Sequence, residues 1–189
     1  MKYIIILLLS LSCFASEIGL KAGEKVPNLA LKSITGKEYQ LDNLDKKTAL
    51  IFYRGSWCPY CIKQLKSVQS EVMSKTDKNS QILVISVDRA AVAKKMKDKN
   101  KFTFDVISDP KAQSLLAFNI VNKIDDELVK KYKQSYQIDV EADSGETHHM
   151  VAHPAVFVID GDKITYSDIH INYKDRTKNE EIIKALSSN

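Results

Sequence analysis

Cysteine is scarce in this sequence: the 189 residues contain three, and Cys13 lies close to the N-terminus. A zinc site needs about four ligands, whereas the chain has a single Cys-x-x-Cys pair, Cys58 and Cys61. The other metal-ligand candidates lie far downstream: His148, His149 and His153. The shortage of cysteine therefore argues against a zinc module, and it leaves Cys58 and Cys61 without a third cysteine that could resolve either of them.

The sequence also lacks repeats and any strong compositional bias. Hydrophobic residues make up 44% of the chain and charged residues 28%, which is ordinary for a globular protein of one domain with a sizeable core. The net charge of +4 comes from lysines with acidic residues beside them, a pattern typical of solvated helix faces. We therefore predict one globular domain that binds no nucleic acid.

Long apolar runs are missing, and the run at residues 3–11 is too short to span a membrane comfortably. A lysine precedes this run and small residues follow it, which predicts a signal peptide over 1–15, a domain over 16–189, and a periplasmic or secreted protein. A lipoprotein anchored at Cys13 is the less favoured alternative, because Ser10 stands where a leucine is expected. In either case Cys13 is not one of the thiols of the working domain.

The Cys58/Cys61 pair follows an apolar run at residues 50–53 that breaks at Gly55. Because Pro59 suits a first helical turn and apolar residues then recur at helical spacing, we expect both sulfurs at a helix N-terminus, open to solvent. The helix dipole and free N–H groups favour a thiolate there, and such cysteines fall from a pKa of about 8.5 to roughly 3.5–7.5. The spacing therefore predicts a nucleophilic cysteine.

A structural disulfide between Cys58 and Cys61 is the simplest alternative. It would close a very small loop, for which loop-closure entropy gives about 2 kcal/mol, against roughly 4–5 kcal/mol for a long loop. The pattern therefore favours a redox role, while a structural bridge and a metal-handling site stay open as alternatives.

The remaining pattern predicts a mixture of strands and helices. Residues 26–41 indicate a hairpin, and two buried strands at 48–53 and 81–87 flank the helix that begins near Cys58 and fades by Thr76. Strand, helix and strand in this order imply a right-handed crossover and a parallel pair of strands.

Further along, three helices are predicted: at 90–100, at 125–136, and after the capping-box spacing Thr177–Glu180. Asp109 and Pro110 are predicted to open a fourth helix, which follows a strand at 102–107. Residues 141–146 are predicted as a polar loop, and residues 151–164 as two antiparallel strands joined by an Asp-Gly turn.

With these pieces the sequence resembles the thioredoxin-fold superfamily, and within it the peroxiredoxin-like proteins of the alkyl hydroperoxide reductase/thiol-specific antioxidant family. The resemblance runs from about residue 26 to residue 186. It implies an α/β thioredoxin-like fold with a central mixed β-sheet flanked by helices on both faces. Three segments carry it: Phe52-Tyr-Arg-Gly-Ser-Trp-Cys-Pro-Tyr-Cys61, His153-Pro-Ala-Val-Phe-Val-Ile-Asp160 and Asn172-Tyr-Lys-Asp-Arg176.

The resemblance also implies roles for site residues. In the superfamily the proline before the hairpin strand is cis and faces the redox cysteines, and Pro154 matches that proline. The peroxiredoxin motif is similar to Pro-x-x-x-Thr-x-x-Cys; with Cys61 as its cysteine, Arg54 takes the proline position and Cys58 the threonine position. The arginine expected before the hairpin strand is replaced by Pro154. Arg54 or Arg176 is therefore the expected source of the missing cation.

Two enzymatic hypotheses follow, and the peroxidase is favoured over the alternative. In the first, one thiolate attacks a hydroperoxide and its neighbour condenses with the sulfenic acid. In the second, a thioredoxin-like exchanger, Cys58 attacks a protein disulfide and Cys61 releases the product. Both need an external thiol or dithiol reductant, neither needs a cofactor or metal, and a homo-oligomer stays open. The non-enzymatic metal-handling domain is the third hypothesis.

Two residues near the Cys58/Cys61 pair in the predicted site, His153 and Trp57, have both a functional and a structural interpretation. His153 either tunes the pKa of a thiol or simply packs. Trp57 either shields the sulfurs or is a half-buried aromatic.

Overall fold

In the computed structural model of the chain, residues 18–188 are described. The predicted signal peptide and Cys13 lie outside these residues. Within 18–188, no helix has both the length and the apolar character that a membrane span requires.

The strands of this region are β1 (Ala30–Lys32), β2 (Glu38–Gln40), β3 (Lys47–Phe52), β4 (Ser80–Ser86), β5 (Asp105–Ser108), β6 (Val121–Lys123), β7 (Met150–Ala152), β8 (Ala155–Asp160) and β9 (Lys163–Ile169). The helices are α1 (Pro59–Ser67), α2 (Ala90–Asn100), α3 (Gln113–Ala117), α4 (Asp126–Tyr136), α5 (Val140–Ser144) and α6 (Asn179–Ser187). A 3-10 turn covers Leu41–Asn43, and a π-helical turn, Val68–Val72, extends α1.

The main sheet has the order β5-β4-β3-β8-β9. Strand β3 pairs parallel with β4 and antiparallel with β8, and β8 continues through Gly161 into an antiparallel pairing with β9. The predicted mixed sheet, the parallel β3–β4 pair and the Asp-Gly turn are therefore confirmed. The predicted N-terminal hairpin is confirmed as β1–β2, which forms a small sheet of its own.

Both faces of the main sheet are covered, as predicted. Along β3, Leu50 and Phe52 belong to one buried cluster, whereas Ala49 and Ile51 belong to the other. The first cluster includes residues of α3, α4 and α5, and the second includes residues of α1, α2 and α6. This alternation follows from the two-residue period of a strand that is buried on both sides. The loop that follows β3 therefore leaves a firmly packed strand at the carboxyl end of the sheet.

Several local predictions are wrong, and capping explains most of them. Residues 141–146 were expected to be a loop, but the Asp139 side chain accepts the Ala142 N–H and begins α5, which ends where Gly145 takes a φ of 78°. Helix α3 begins at Gln113 rather than at Pro110. The Asp109 carboxylate accepts the backbone N–H groups of Gln113 and Ser114. Ala112, the residue before Gln113, has a left-handed φ of 54°.

Two further differences concern the C-terminal half. The predicted strand at 151–159 is two strands, β7 and β8, because Pro154 offers no backbone N–H for a continuous ladder. Strand β7 pairs with β6 in a two-stranded sheet that the sequence pattern did not predict. The N-cap of α6 is Lys178, without a side-chain cap hydrogen bond, so the predicted capping box is wrong. Strand β5 begins at Asp105, three residues later than predicted. The preceding Phe102 and Phe104 stack on each other instead, with their ring centroids 4.7 Å apart.

Candidate active site

The Cys58/Cys61 pair lies where α1 begins, directly after the carboxyl end of β3. Cys58 is the N-cap of α1, Pro59 follows in the first turn, and the Cys58 sulfur accepts the Cys61 backbone N–H at 3.3 Å. The two cysteines are joined by a disulfide, with their Cα atoms 5.3 Å apart. The predicted position of the sulfurs at a helix N-terminus is confirmed.

The two cysteines are not open to solvent, and that part of the prediction is wrong. Cys58 is 1% exposed and Cys61 is not exposed at all. Both belong to the buried cluster that includes Ile51, Tyr53 and Leu65. A cation completes their surroundings, however, so the packing around the sulfurs is not purely apolar.

That cation is Arg176, in the segment between β9 and α6. Its Nη2 lies 3.3 Å from the Cys61 sulfur and 3.9 Å from the Cys58 sulfur. Its Nη1 donates to the backbone carbonyls of Tyr173 and Asp175, which orients the guanidinium. Burial, with the nearby charge of Arg54, lowers the pKa of Arg176 to about 10, so the guanidinium is still charged at neutral pH.

Arg54, the other expected cation, is placed differently. It is buried, and its Nη2 donates to the Tyr132 hydroxyl at 3.1 Å. Its guanidinium lies 4.9 Å from the Trp57 ring centroid and 4.8 Å from that of Tyr173. Among the described contacts, Arg176 reaches the sulfurs and Arg54 does not. The charge of Arg54 acts on Arg176 through space, and its guanidinium makes cation–π contacts with Trp57 and Tyr173.

His153 and Pro154 connect β7 to β8. Ala155 pairs with Phe52, so Pro154 lies beside the end of β3, the strand that leads into the Cys58/Cys61 loop. The described residues contain no cis peptide bond, so the expectation of a cis Pro154 is wrong for this structure. Burial, and further the charge of Arg54, lowers the pKa of His153, whose Nδ1 has no partner among the described residues. The imidazole is therefore neutral at pH 7.

The downstream histidines are engaged away from the dithiol. His148 contacts the Pro110 carbonyl oxygen through Nε2 at 2.7 Å. His149 lies between Asp126 and Glu141, at 3.1 and 2.7 Å. Within residues 18–188, no group of three or more histidine, cysteine or acidic residues is arranged to hold a metal ion. The metal-handling hypothesis therefore gains no geometric support here.

Gly55 and Trp57 shape the loop that leads into the disulfide. A Cβ atom on Gly55 would lie 2.4 Å from the Trp57 Nε1, so no larger residue fits there without moving the indole. Trp57 is half-buried, and its ring lies 5.5 Å from that of Tyr132. Its ordinary interpretation as a packed aromatic is thus sufficient.

Sequence reasoning missed Asp88, which lies just past the end of β4. Its Oδ2 accepts the Ser56 backbone N–H at 2.8 Å, the Ser56 and Ser86 hydroxyls at 2.7 and 2.9 Å, and the Tyr53 hydroxyl at 3.3 Å. Burial raises its pKa above the usual range. Asp88 therefore fixes the loop two residues before Cys58. An acidic residue directly after a buried apolar strand was the available signal.

Removing the Asp88 carboxylate is expected to destabilise the fold. Asp88→Ala leaves buried donors of Ser56, Ser86 and Tyr53 without their acceptor, at about 1–3 kcal/mol for each group that finds no water. We expect a loss of roughly 2–4 kcal/mol in the free energy of unfolding, measured by urea denaturation. Asp88→Asn is the matched control, because its amide oxygen can accept the same bonds, and it should lose less.

The same pair of proteins gives a pH test. Because the folded-state pKa of Asp88 is raised above its unfolded value, the native state binds more protons between the two values, and stability falls as the pH rises through that window. Asp88→Asn should flatten this part of the curve. An Asp88→Ala protein as stable as the wild type, or an unchanged pH dependence in Asp88→Asn, would contradict this description of the loop.

The fold and the disulfide at a helix N-terminus define a thioredoxin-fold protein with a Cys-x-x-Cys pair. The family described as AhpC/TSA matches residues 22–167, and the chain belongs to this family. Among solved structures, it is similar to a peroxiredoxin-like protein from Aquifex aeolicus, with a TM-score of 0.69 and 17% identity over 90% of this chain and 88% of the other. Peroxidoxin BcpB from Mycobacterium tuberculosis gives a TM-score of 0.65 and 18% identity over 89% and 95%. These likenesses show the fold.

Curated relatives carry names of thiol-redox proteins. Sporulation thiol-disulfide oxidoreductase A of Bacillus subtilis is 29% identical over 109 residues, 53% of this chain and 66% of the relative. Thiol-disulfide oxidoreductase ResA of Bacillus cereus is 24% identical over 82 residues, 43% and 47% of the two chains. This chain thus spans about half to two thirds of the length of these relatives. Their names agree with the predicted class, an oxidoreductase.

Proposed function

We propose that this protein is a thiol-dependent peroxidase that reduces hydroperoxides through a dithiol-disulfide cycle of Cys58 and Cys61. The observation that carries the proposal is the contact of the Arg176 guanidinium with both sulfurs, at 3.3 and 3.9 Å. A cation there stabilises a thiolate over a thiol. It can also stabilise the negative charge that develops on a peroxide oxygen as the O–O bond breaks. Membership of the AhpC/TSA family supports the same chemistry.

The burial of the dithiol favours a small oxidant. With Cys58 and Cys61 1% and 0% exposed, a bulky protein disulfide could not reach either sulfur without a larger local rearrangement than a small molecule needs. A hydroperoxide needs far less space. This is the physical reason for preferring the peroxidase over the exchanger.

We assign the attack to Cys58, because its sulfur accepts the Cys61 N–H at the helix N-terminus. The Cys58 thiolate attacks one peroxide oxygen, the O–O bond breaks, and the departing alkoxide takes a proton to become an alcohol. Cys61 then attacks the Cys58 sulfenic acid, the disulfide forms, and water leaves. The dithiol supplies two electrons, and an external thiol restores it. This assignment reverses the one implied by overlaying the peroxiredoxin motif, in which Cys61 attacks.

A thioredoxin-like exchanger is the second candidate function. It is supported by the Cys-Pro-Tyr-Cys sequence at a helix start and by the names of the curated relatives. In that case Cys58 attacks a protein disulfide and Cys61 releases the mixed disulfide. Either activity fits the extracytoplasmic location that the first fifteen residues predict, which stays a prediction.

Two parallel assays separate the candidates. Purified protein is given excess dithiothreitol with either hydrogen peroxide or a model protein disulfide such as insulin, and the double variant Cys58→Ser/Cys61→Ser is the matched control. We expect peroxide consumption well above the control and little insulin reduction. Insulin reduction without peroxide consumption would favour the exchanger, and neither activity would reject both candidates.

A further inference from the structure

A cleft of about 400 Å³ lies beside the disulfide, between α1 and the segment that leads into α6. Its lining includes four cations and no carboxylate: Lys63, Lys174, Arg176 and Lys178. Two acidic side chains lie near the cleft and interact with residues of its lining. Glu71 accepts a hydrogen bond from Asn179, and Asp175 raises the pKa of Arg176, but neither lines the cleft. The lining of the cleft, as the described residues form it, therefore carries four positive charges and no negative one.

Two buried polar groups at the cleft have no hydrogen-bond partner among the described residues. Thr177 lines the cleft and is 5% exposed, and its buried hydroxyl has no hydrogen-bond partner among the described residues. The buried Nε of Arg176 also has none. Buried polar groups are nearly always satisfied in folded proteins. An anion seated in the cleft would supply an acceptor for a hydroxyl and for several cationic donors at once.

Arg176 connects this cleft to the redox chemistry, because the same guanidinium lines the cleft and lies 3.3 Å from the Cys61 sulfur. A small molecule held there by an anionic group would have its other end close to the disulfide. The volume is within the usual range for small-molecule sites, about 300–1,000 Å³.

We propose that this cleft binds the carboxylate of a small organic thiol, which acts as the reductant of the Cys58–Cys61 disulfide. This inference rests on the proposed function, and it names the class of electron donor. The donor thiolate attacks one sulfur of the disulfide, the S–S bond breaks, and a mixed disulfide and one cysteine thiolate form. A second donor thiolate displaces the protein cysteine. Two donor thiols are thereby oxidised to their disulfide, and the two cysteines take up the two protons.

The test compares three thiols that differ in charge: 3-mercaptopropionate, 2-mercaptoethanol and 2-aminoethanethiol. Reduction of the disulfide is followed in single-turnover stopped-flow experiments through Trp57, the single tryptophan of the chain. Rates are divided by the thiolate concentration of each reagent. We expect the carboxylate thiol to react about tenfold faster than the neutral one and the ammonium thiol to be slowest, with the differences shrinking at high salt. Equal corrected rates would overturn the inference.

A pair of variants locates the effect. The double variant Lys63→Gln/Lys178→Gln should lower the ratio of the carboxylate rate to the neutral rate by about threefold or more. Lys78→Gln is the control, because Lys78 precedes β4 at the opposite end of the sheet, and it should keep the wild-type ratio. An unchanged ratio in the double variant, or an equal fall in both proteins, would contradict the proposed site. If no thiol reduces the disulfide at all, the proposed function itself fails.

Discussion

We expect Cys58→Ser to abolish the rapid reaction with hydrogen peroxide, whereas Cys61→Ser should undergo a single oxidation and then stop. The reason is the division of labour at the helix start: the Cys58 sulfur accepts the Cys61 N–H at 3.3 Å, which stabilises a thiolate on Cys58. Without Cys61, the Cys58 sulfenic acid has no neighbour with which to condense. We expect steady-state peroxidase activity to fall by about a hundredfold or more in both variants.

The two variants are distinguished by their products. Reduced proteins in a Cys13→Ser background are mixed with one equivalent of peroxide and then treated with dimedone, which labels sulfenic acids. Cys61→Ser should gain one dimedone label, measured by mass spectrometry, and Cys58→Ser should remain a thiol. Circular dichroism spectra serve as the control for folding. A labelled Cys58→Ser with an unreactive Cys61→Ser would reverse the assignment and make Cys61 the attacking residue.

Arg176→Met has the next largest expected effect, because it removes the cation that lies 3.9 Å from the attacking Cys58 sulfur and 3.3 Å from the Cys61 sulfur. A hydrogen bond to a charged group contributes roughly 1.5–3 kcal/mol, and one pKa unit corresponds to about 1.4 kcal/mol. Because the guanidinium contacts both sulfurs, the pKa of the attacking Cys58 thiol should rise by about one to two units in the variant. The rate with peroxide at neutral pH should fall roughly ten- to a hundredfold.

The measurement is the pH dependence of alkylation of the reduced protein by iodoacetamide, whose midpoint reports the thiol pKa. Arg176→Lys should restore part of the shift, because it keeps a positive charge but loses the fixed direction of the guanidinium. Lys78→Met is the control for loss of one positive charge elsewhere on the protein. A midpoint in Arg176→Met equal to that of the wild type would show that Arg176 only covers the sulfurs.

Much of the fold was predictable because its signals are local. The apolar run of β3, the proline after Cys58 and the helical spacing that follows were enough to place both cysteines at the start of α1. The Asp-Gly turn between β8 and β9 was equally clear. Helix α5 was missed because Asp139 and Gly145, which read as loop residues in sequence, act as its two caps.

The environment of the dithiol was not predictable in the same way. Whether Arg54 or Arg176 reaches the sulfurs depends on how a segment 115 residues beyond Cys61 packs back over α1. Nothing local to either arginine encodes that contact. The burial of the cysteines has the same origin, because the helix start alone would leave them open. Asp88 was missed because its importance comes from the donors that converge on it across the loop.

A peroxidase of this kind requires that Cys58 and Cys61 form a reversible redox pair with access to a small oxidant. The direct measurement is a thiol count on fully reduced Cys13→Ser protein before and after one equivalent of hydrogen peroxide, with the mass recorded at each stage. We predict a change from two thiols to none and a mass loss of about two hydrogens, fully reversed by a small thiol. Two thiols that persist unoxidised under native conditions, or a disulfide that no thiol reduces until the protein is unfolded, would contradict the account.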